Sequence, residues 1–150
     1  MKTIWNSKHF TELSNEELYS IIHLRLEVFA VEQNCAYQDA DGKDQVSFHI
    51  CGYTDAKELI AYARILPPGI SYKEASIGRI VTAQKVRALG VGKELMQKSF
   101  EFISTKYGKV PIRISAQCYL TKFYSNLGFE VIGEEYEEDH IPHIEMLKPA

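Results

Sequence analysis

The sequence has only three cysteines, Cys35, Cys51 and Cys118, in 150 residues. Their odd number and wide spacing argue against a disulfide framework and a zinc-ligand set, and for a reducing, cytoplasmic setting. No apolar run approaches the roughly 20 residues that cross a bilayer. Residues 1–10 hold no apolar segment of the signal-peptide kind. A basic surplus is also missing: 17 Lys and Arg face 20 Asp and Glu, a net charge of −3. Such a balance does not suit the holding of a nucleic-acid backbone. Internal repeats, low-complexity tracts and linkers are absent. What is there is 45% hydrophobic and 25% charged, an ordinary globular mix. The length suits one domain, residues 1–150, with a real core.

The chain is organised around residues 80–93, Ile-Val-Thr-Ala-Gln-Lys-Val-Arg-Ala-Leu-Gly-Val-Gly-Lys. An apolar run ends there, a loop comes next, and Arg87-x-x-Gly90-x-Gly92 opens a long amphipathic segment over 91–107. Strand, glycine loop and helix together present backbone N–H groups to a phosphate. Glycines lack a Cβ, so the chain turns sharply and an anion can approach closely. Two glycines at this spacing also occur in plain strand-to-helix connections.

Ser14-x-x-Glu17 is a capping box, with Leu13 and Leu18 placed as its hydrophobic staple. The helix it starts carries Leu18, Ile21, Ile22, Arg25, Val28 and Phe29 near one face and ends around 29–32. Residues 32–44 read as a loop. Its three aspartates lack the glutamate and flanking helices of a calcium loop. Residues 46–53 and 59–66 are strand-like, joined by a hairpin connection at 54–58, and Pro67-Pro68-Gly69 stops the second. Residues 75–82 make a third strand of an antiparallel meander. In the helix after Gly90, the buried stripe is Val91, Leu95, Phe100 and Ile103, and Gly108 is its C-cap. A strand over 110–117, a short helix closing on Gly128, and strands over 129–136 and 143–147 complete the pattern. The strand–helix–strand from 75 to 117 predicts a right-handed parallel crossover. The expected class is α/β, a mixed, mostly antiparallel sheet with helices on both faces.

Arg87-x-x-Gly90-x-Gly92 and, further on, Phe123-Tyr124-x-x-x-Gly128-Phe129 resemble the cofactor-loop and late-helix motifs of the GNAT acyltransferase superfamily. Leu24-Arg25-x-x-Val28-Phe29-x-Val31-Glu32-Gln33 and Cys35-x-Tyr37-x-Asp39-x-Asp41 resemble its ElaA-like branch. So do Tyr62-Ala63-Arg64-Ile65-Leu66, Ile77-Gly78-Arg79 and Tyr136-Glu137-Glu138-Asp139-x-Ile141-Pro142-His143. The resemblance spans nearly the whole chain. It implies the GNAT fold and acetyl-CoA as acyl donor, with no metal.

The donor site that the resemblance implies runs over Ile80, Val81 and Thr82, then Arg87, Ala88, Leu89, Gly90, Val91, Gly92 and Lys93, and ends at Gln117 and Tyr124. The Ile80 N–H would reach the acetyl carbonyl as a fixed oxyanion donor. The N–H groups of Ala88, Gly90, Gly92 and Lys93 would hold the pyrophosphate. Gln117 stands where relatives usually have an asparagine that bonds the pantetheine; it offers the same amide one methylene further out. Tyr124 matches the family tyrosine beside the sulfur. A phenol of pKa ~10 can protonate a thiolate whose thiol has a pKa of ~8.5. Its other reading is a core tyrosine packed beside Phe123 and Phe129.

Some relatives carry a carboxylate eleven residues before the position of Arg87; here that residue is Ser76. An amine acceptor is mostly protonated at pH 7 and must lose a proton. The candidates are Glu32, His49, Glu74, His143 or water. Arg25, Arg64 and Arg79 stand in apolar segments and need acceptors. They serve either as structural ion pairs, with Glu32, Asp39 or Asp41 for example, or as a clamp for an acidic substrate. Cys118 reads as a packing residue rather than a nucleophile. The expected activity is direct acetyl transfer to a small-molecule or protein amine, by a monomer or homodimer. The alternatives are an acyl-CoA sensor or interaction module without turnover, and a transferase with a longer acyl donor. The Arg-x-x-Val-Phe run is similar to acyl-homoserine-lactone synthases, yet the full-length pattern fits the ElaA-like branch better.

Overall fold

The computed structural model describes residues 2–150. Ser14 caps the first helix as its sequence predicts. The Glu17 N–H donates to Ser14 Oγ at 3.1 Å, and the Glu17 carboxylate accepts from the Ser14 N–H at 2.9 Å. Helix α1, Asn15–Leu26, then widens into a π-turn, Glu27–Glu32. The Gln33 and Cys35 N–H groups there reach back five residues, to the carbonyls of Val28 and Ala30. Such widened turns gather at functional sites, and this one aims Phe29, Glu32 and Gln33 at the central cleft. The buried face of the α1 segment is Ile21, Leu24, Arg25 and Val28; Leu18, Ile22 and Phe29 are only partly covered.

Among the described residues, eight strands form one sheet. Strand β1, Ile4–His9, is an edge strand that the sequence pattern does not announce. Its Trp5 lies against β2, Phe48–Tyr53, at Gly52, where a Cβ would come within 2.7 Å of the indole. The run at 46–53 starts later than its pattern predicts, because Asp44–Val46 forms a tight turn first. Strands β3, Leu59–Leu66, and β4, Ala75–Thr82, complete the antiparallel meander. Helix α2, Val91–Tyr107, leads to β5, Ile112–Gln117, which runs parallel to β4. Gly108 closes α2 at φ +81°, its N–H bonded to Ser104 O at 2.9 Å.

The predicted strand over 129–136 is instead two short pieces, β6, Glu130–Val131, and β7, Tyr136–Glu138. The exposed stretch between them leaves the ladder after Ile132, which keeps one bond to Glu145 O. Strand β8, Ile141–Lys148, pairs β7 through a two-residue turn. Asp139 and His140 both have positive φ there, +52° and +64°, the twist a tight hairpin needs. Across the sheet the order is β1-β2-β3-β4-β5-β8-β6, with β7 also paired to β8.

Each face of the sheet has its own core. Ile77, Leu95, Met96, Ile114 and Met146 pack under α2, and Ile21, Leu24, Cys51, Tyr62 and Val81 pack under α1.

Candidate functional site

Strands β4 and β5 pair only through Ala75–Ile112 and Ser76–Arg113. Beyond that point they part, and a cleft of ≈ 960 Å³ opens between them. That is at the upper end of the usual size of a ligand site.

Along the cleft wall, β4 carries a bulge. Gly78 pairs Arg64 and Val81 pairs Tyr62, so Arg79 and Ile80 together oppose the single residue Ala63. The extra residue swaps the faces of the rest of the strand. Ile77 and Ile80, three apart, both pack toward the α2 core, whereas Val81 joins the α1 core. Arg79 sits at φ +48°, a conformation that costs a residue with a Cβ about 1–2 kcal/mol.

The loop after β4 is a tight turn, Gln84–Val86, and then positive φ at Ala88, +66°, and Gly90, +80°. Its turn bonds use the N–H groups of Arg87 and Leu89, which donate to Gln84 O and Val86 O. The N–H groups of Ala88 and Gly90 take no part in these bonds, and those of Val91, Gly92 and Lys93 are the unpaired first turn of α2. The same end carries the positive pole of the helix. Arg87 does not point freely at a phosphate. Its guanidinium donates to both oxygens of Glu32 and to Thr82 O, tying the loop to the π-turn and to the end of β4. Leu89 is 62% exposed and lies outside the cleft lining, a departure from its predicted place.

Gly92 lines the cleft between Phe123 and Thr82, its nearest side-chain neighbours. Tyr124, in helix α3, Thr121–Ser125, lines it as well while packing edge-on against Phe123 and Phe129. Tyr124 is thus a packed core residue that also borders the cleft. Burial, with the neighbouring Tyr119, pushes its phenol well above the usual value, which keeps it protonated. Gln117 ends β5 in the cleft, and its amide is already engaged with that of Gln33.

Of the candidate bases, Glu32 is held by Arg87. His49 is fully buried, with Tyr62 OH on Nδ1 at 2.6 Å and Asp44 O on Nε2 at 3.0 Å. Burial holds its imidazole below the ordinary value, with Arg25 and Arg64 adding to the effect. Glu74 lies beside Arg113, outside the cleft lining. His143 does face the cleft. Its Nδ1 donates to Ile141 O at 2.7 Å, and its Nε2 is 3.5 Å from Glu138. Ser76, in the position of the missing carboxylate, also lines the cleft.

The three arginines find partners in the loop. Arg25 pairs with Asp39 and Asp44, Arg64 with Asp41 and Asp44, and Arg79 with Asp39 and Asp41. Three cations thus meet three anions, so the cluster offers no uncompensated charge to an acidic substrate. Of the acids named for them, Glu32 is not a partner. Burial pushes the Asp41 carboxyl up, but Arg64, the Lys43 N–H and Arg79 outweigh it and hold it below the usual carboxylate range. Gln33, Ser115 and Glu138, to which the sequence assigns no site role, also line the cleft. Gln33 and Glu138 stand in the sequence only within the runs that mark the branch, and a serine in a strand carries no signal of its own.

Residues 11–149 match the family model of the acetyltransferase (GNAT) domain. Protein ElaA of Escherichia coli strain K12 is 42% identical over 146 residues, 96% of this chain and 95% of that one. The crystal structure of E. coli ElaA superposes with a TM-score of 0.91 over 98% of this chain and 99% of that one. A UPF0039 protein of Synechocystis is 38% identical over 147 residues, 98% of this chain and 96% of that one. The crystal structure of an acyl-CoA N-acyltransferase from Pseudomonas aeruginosa, 38% identical, gives a TM-score of 0.93 over 98% of this chain and 99% of that one. With its splayed β4–β5 cleft and glycine loop, the chain belongs to the GNAT superfamily, in the ElaA-like branch.

Proposed function

We propose that this protein is an N-acetyltransferase that moves an acetyl group from acetyl-CoA directly to an amine. The observation that carries the reading is the junction of three features in one cleft. These are the parted β4–β5 edge, the unpaired N–H groups at the start of α2, and the Tyr124 phenol. Their chemistry suits an acyl-CoA: a pantetheine arm between strands, a pyrophosphate on backbone donors, and a sulfur beside a protonated hydroxyl.

The residues divide the work. The N–H groups of Ala88, Gly90, Gly92 and Lys93 hold the pyrophosphate, and the Ile80 N–H steadies the charge that develops on the thioester oxygen. His143 takes the acceptor's proton. Because Nδ1 must donate to Ile141 O, Nε2 keeps the lone pair, and Glu138 steadies the imidazolium that forms. Tyr124 donates to the departing sulfur. Its raised pKa makes complete transfer uphill, so it acts chiefly as a hydrogen-bond donor to the nascent thiolate. The three free cysteines suit a reducing compartment.

Thiol release from acetyl-CoA tests this across small amines, amino acids and peptides with free N-termini or lysines. The reading requires amine-dependent release. CoA binding without release in the whole panel would favour a sensor or interaction module, a role that serine at position 76 would suit. Release only with longer acyl-CoAs would change the donor.

A further inference from the structure

The strained residue of β4 is an arginine whose guanidinium is tied, through NH2 and the Nε edge, to the loop ahead of β2. Arg79 opens the bulge at φ +48°, where glycine would be the ordinary choice. Its NH2 donates to Asp39 O at 3.0 Å and lies 3.3 Å from Asp41 Oδ2; Nε is 3.4 Å from Asp39 Oδ1. The guanidinium also stands 5.4 Å from the centre of the Tyr37 ring. All these partners belong to the loop between the π-turn and β2. That loop is fixed in turn, since Asp39 is bound by Arg25, which is fully buried, and Asp41 by Arg64. The tether therefore ends on rigid structure. At its other end is the peptide that leads into Ile80.

We propose that Arg79 is a positioning residue, whose anchorage on Asp39 and Asp41 holds the left-handed turn of the bulge and so aims the Ile80 N–H at the donor's acyl carbonyl. The proposal rests on the acyl-CoA reading above. It explains why a side chain is kept where the backbone alone would favour glycine. The arginine cluster is thereby part of the acyl site without touching the acyl group.

Arg79→Ala and Arg79→Gly separate the tether from the strain. Both remove the guanidinium, but only alanine keeps the Cβ that resists positive φ. Two readouts apply. One is amide hydrogen exchange at Ile80 and Val81 in the ligand-free protein. The other is the carbonyl 13C signal of bound [1-13C]acetyl-CoA, which moves downfield when an N–H donates to it. In Arg79→Ala, exchange at the two amides should rise tenfold or more with α2 unchanged, and the downfield displacement should vanish. Arg79→Gly should stay near wild type in both, and Arg79→Lys should fall between. If Arg79→Ala does not fold while Arg79→Gly does and keeps both signals, the proposal stands. It is overturned if alanine behaves as wild type, if alanine and glycine shift equally, or if neither folds. Failure of acetyl-CoA to bind the wild-type protein would remove the acyl-CoA reading instead, and the exchange data would still decide whether Arg79 holds the bulge.

Discussion

Gln33 and Gln117 face each other across the cleft and exchange two amide hydrogen bonds, Nε2 to Oε1 at 3.0 Å and 3.3 Å. One comes from the turn after α1, the other from the end of β5. Each amide has two N–H groups and two lone pairs, so one of each remains on Gln117 for a ligand.

Two variants probe that pair. Gln117→Leu removes the proposed ligand contact as well as the partner of Gln33, and CoA affinity should weaken by up to about tenfold, the worth of one ordinary hydrogen bond. Gln33→Ala frees the Gln117 amide and should leave affinity unchanged or better. Calorimetric titration with CoA measures both. Equal losses in the two variants would mean that the pair acts as a structural bridge.

At Gly92 the question is space. A Cβ there would lie 3.8 Å from Phe123 and 4.0 Å from Thr82, ordinary contacts. Gly92→Val should therefore fold with little change in Tm, while its branched methyls fill the approach to the α2 N-terminus. CoA binding should fall below detection. Normal affinity in this variant would remove the loop from the donor site.

Arg64 is 4% exposed and serves two aspartates. Breaking a buried pair costs about 3–5 kcal/mol. Arg64→Met should sit at the lower end, since Arg79 still reaches Asp41 and Arg25 still reaches Asp44. In the wild type the depressed Asp41 carboxyl gives stability that is full above the ordinary carboxylate pKa and fades as pH falls through its lower folded value. Without Arg64 that value rises, so the acid-unfolding midpoint should move to higher pH. Urea melts across the acid range measure both effects. An unchanged Tm would mean that the network adds no stability.

His49 sets a second pH limb. Its folded pKa is lowered, chiefly by burial, so the folded state declines a proton that the unfolded chain accepts. Stability is full above about pH 6.5 and falls below it, with a slope of about 1.4 kcal/mol per pH unit until the folded value is reached. In His49→Gln the amide can still donate to Asp44 O, and the slope between about pH 6.5 and the carboxylate range should flatten. Retention of the slope would assign it to another group.

The sequence is legible where a local rule decides the structure. The Ser14 cap, the loop at Gly90 and the C-cap at Gly108 each come from one residue's own chemistry. The bulge is not legible, because nothing in arginine favours positive φ. Its cause lies in Asp39 and Asp41, some forty residues earlier, which only the folded chain brings near. Strand β1 escapes a pattern search for a related reason, as an edge strand with no clean alternation of buried and exposed residues. The neighbours of Leu89 in sequence suggest a place in the site, but the turn at Val86–Leu89 sends its side chain to solvent.

Direct transfer is the central claim, and the thiol and the acetyl group report on it together. The protein is mixed with acetyl-CoA in a single turnover, with and without an amine that supports release, and monitored by thiol assay and intact-mass spectrometry. The account predicts no free thiol and no mass gain on the protein without the amine. With it, thiol and acetylated amine should appear at the same rate. A protein carrying one acetyl group before the amine is added, on Cys118 or Cys35 for example, would contradict it and would mean transfer through a covalent intermediate.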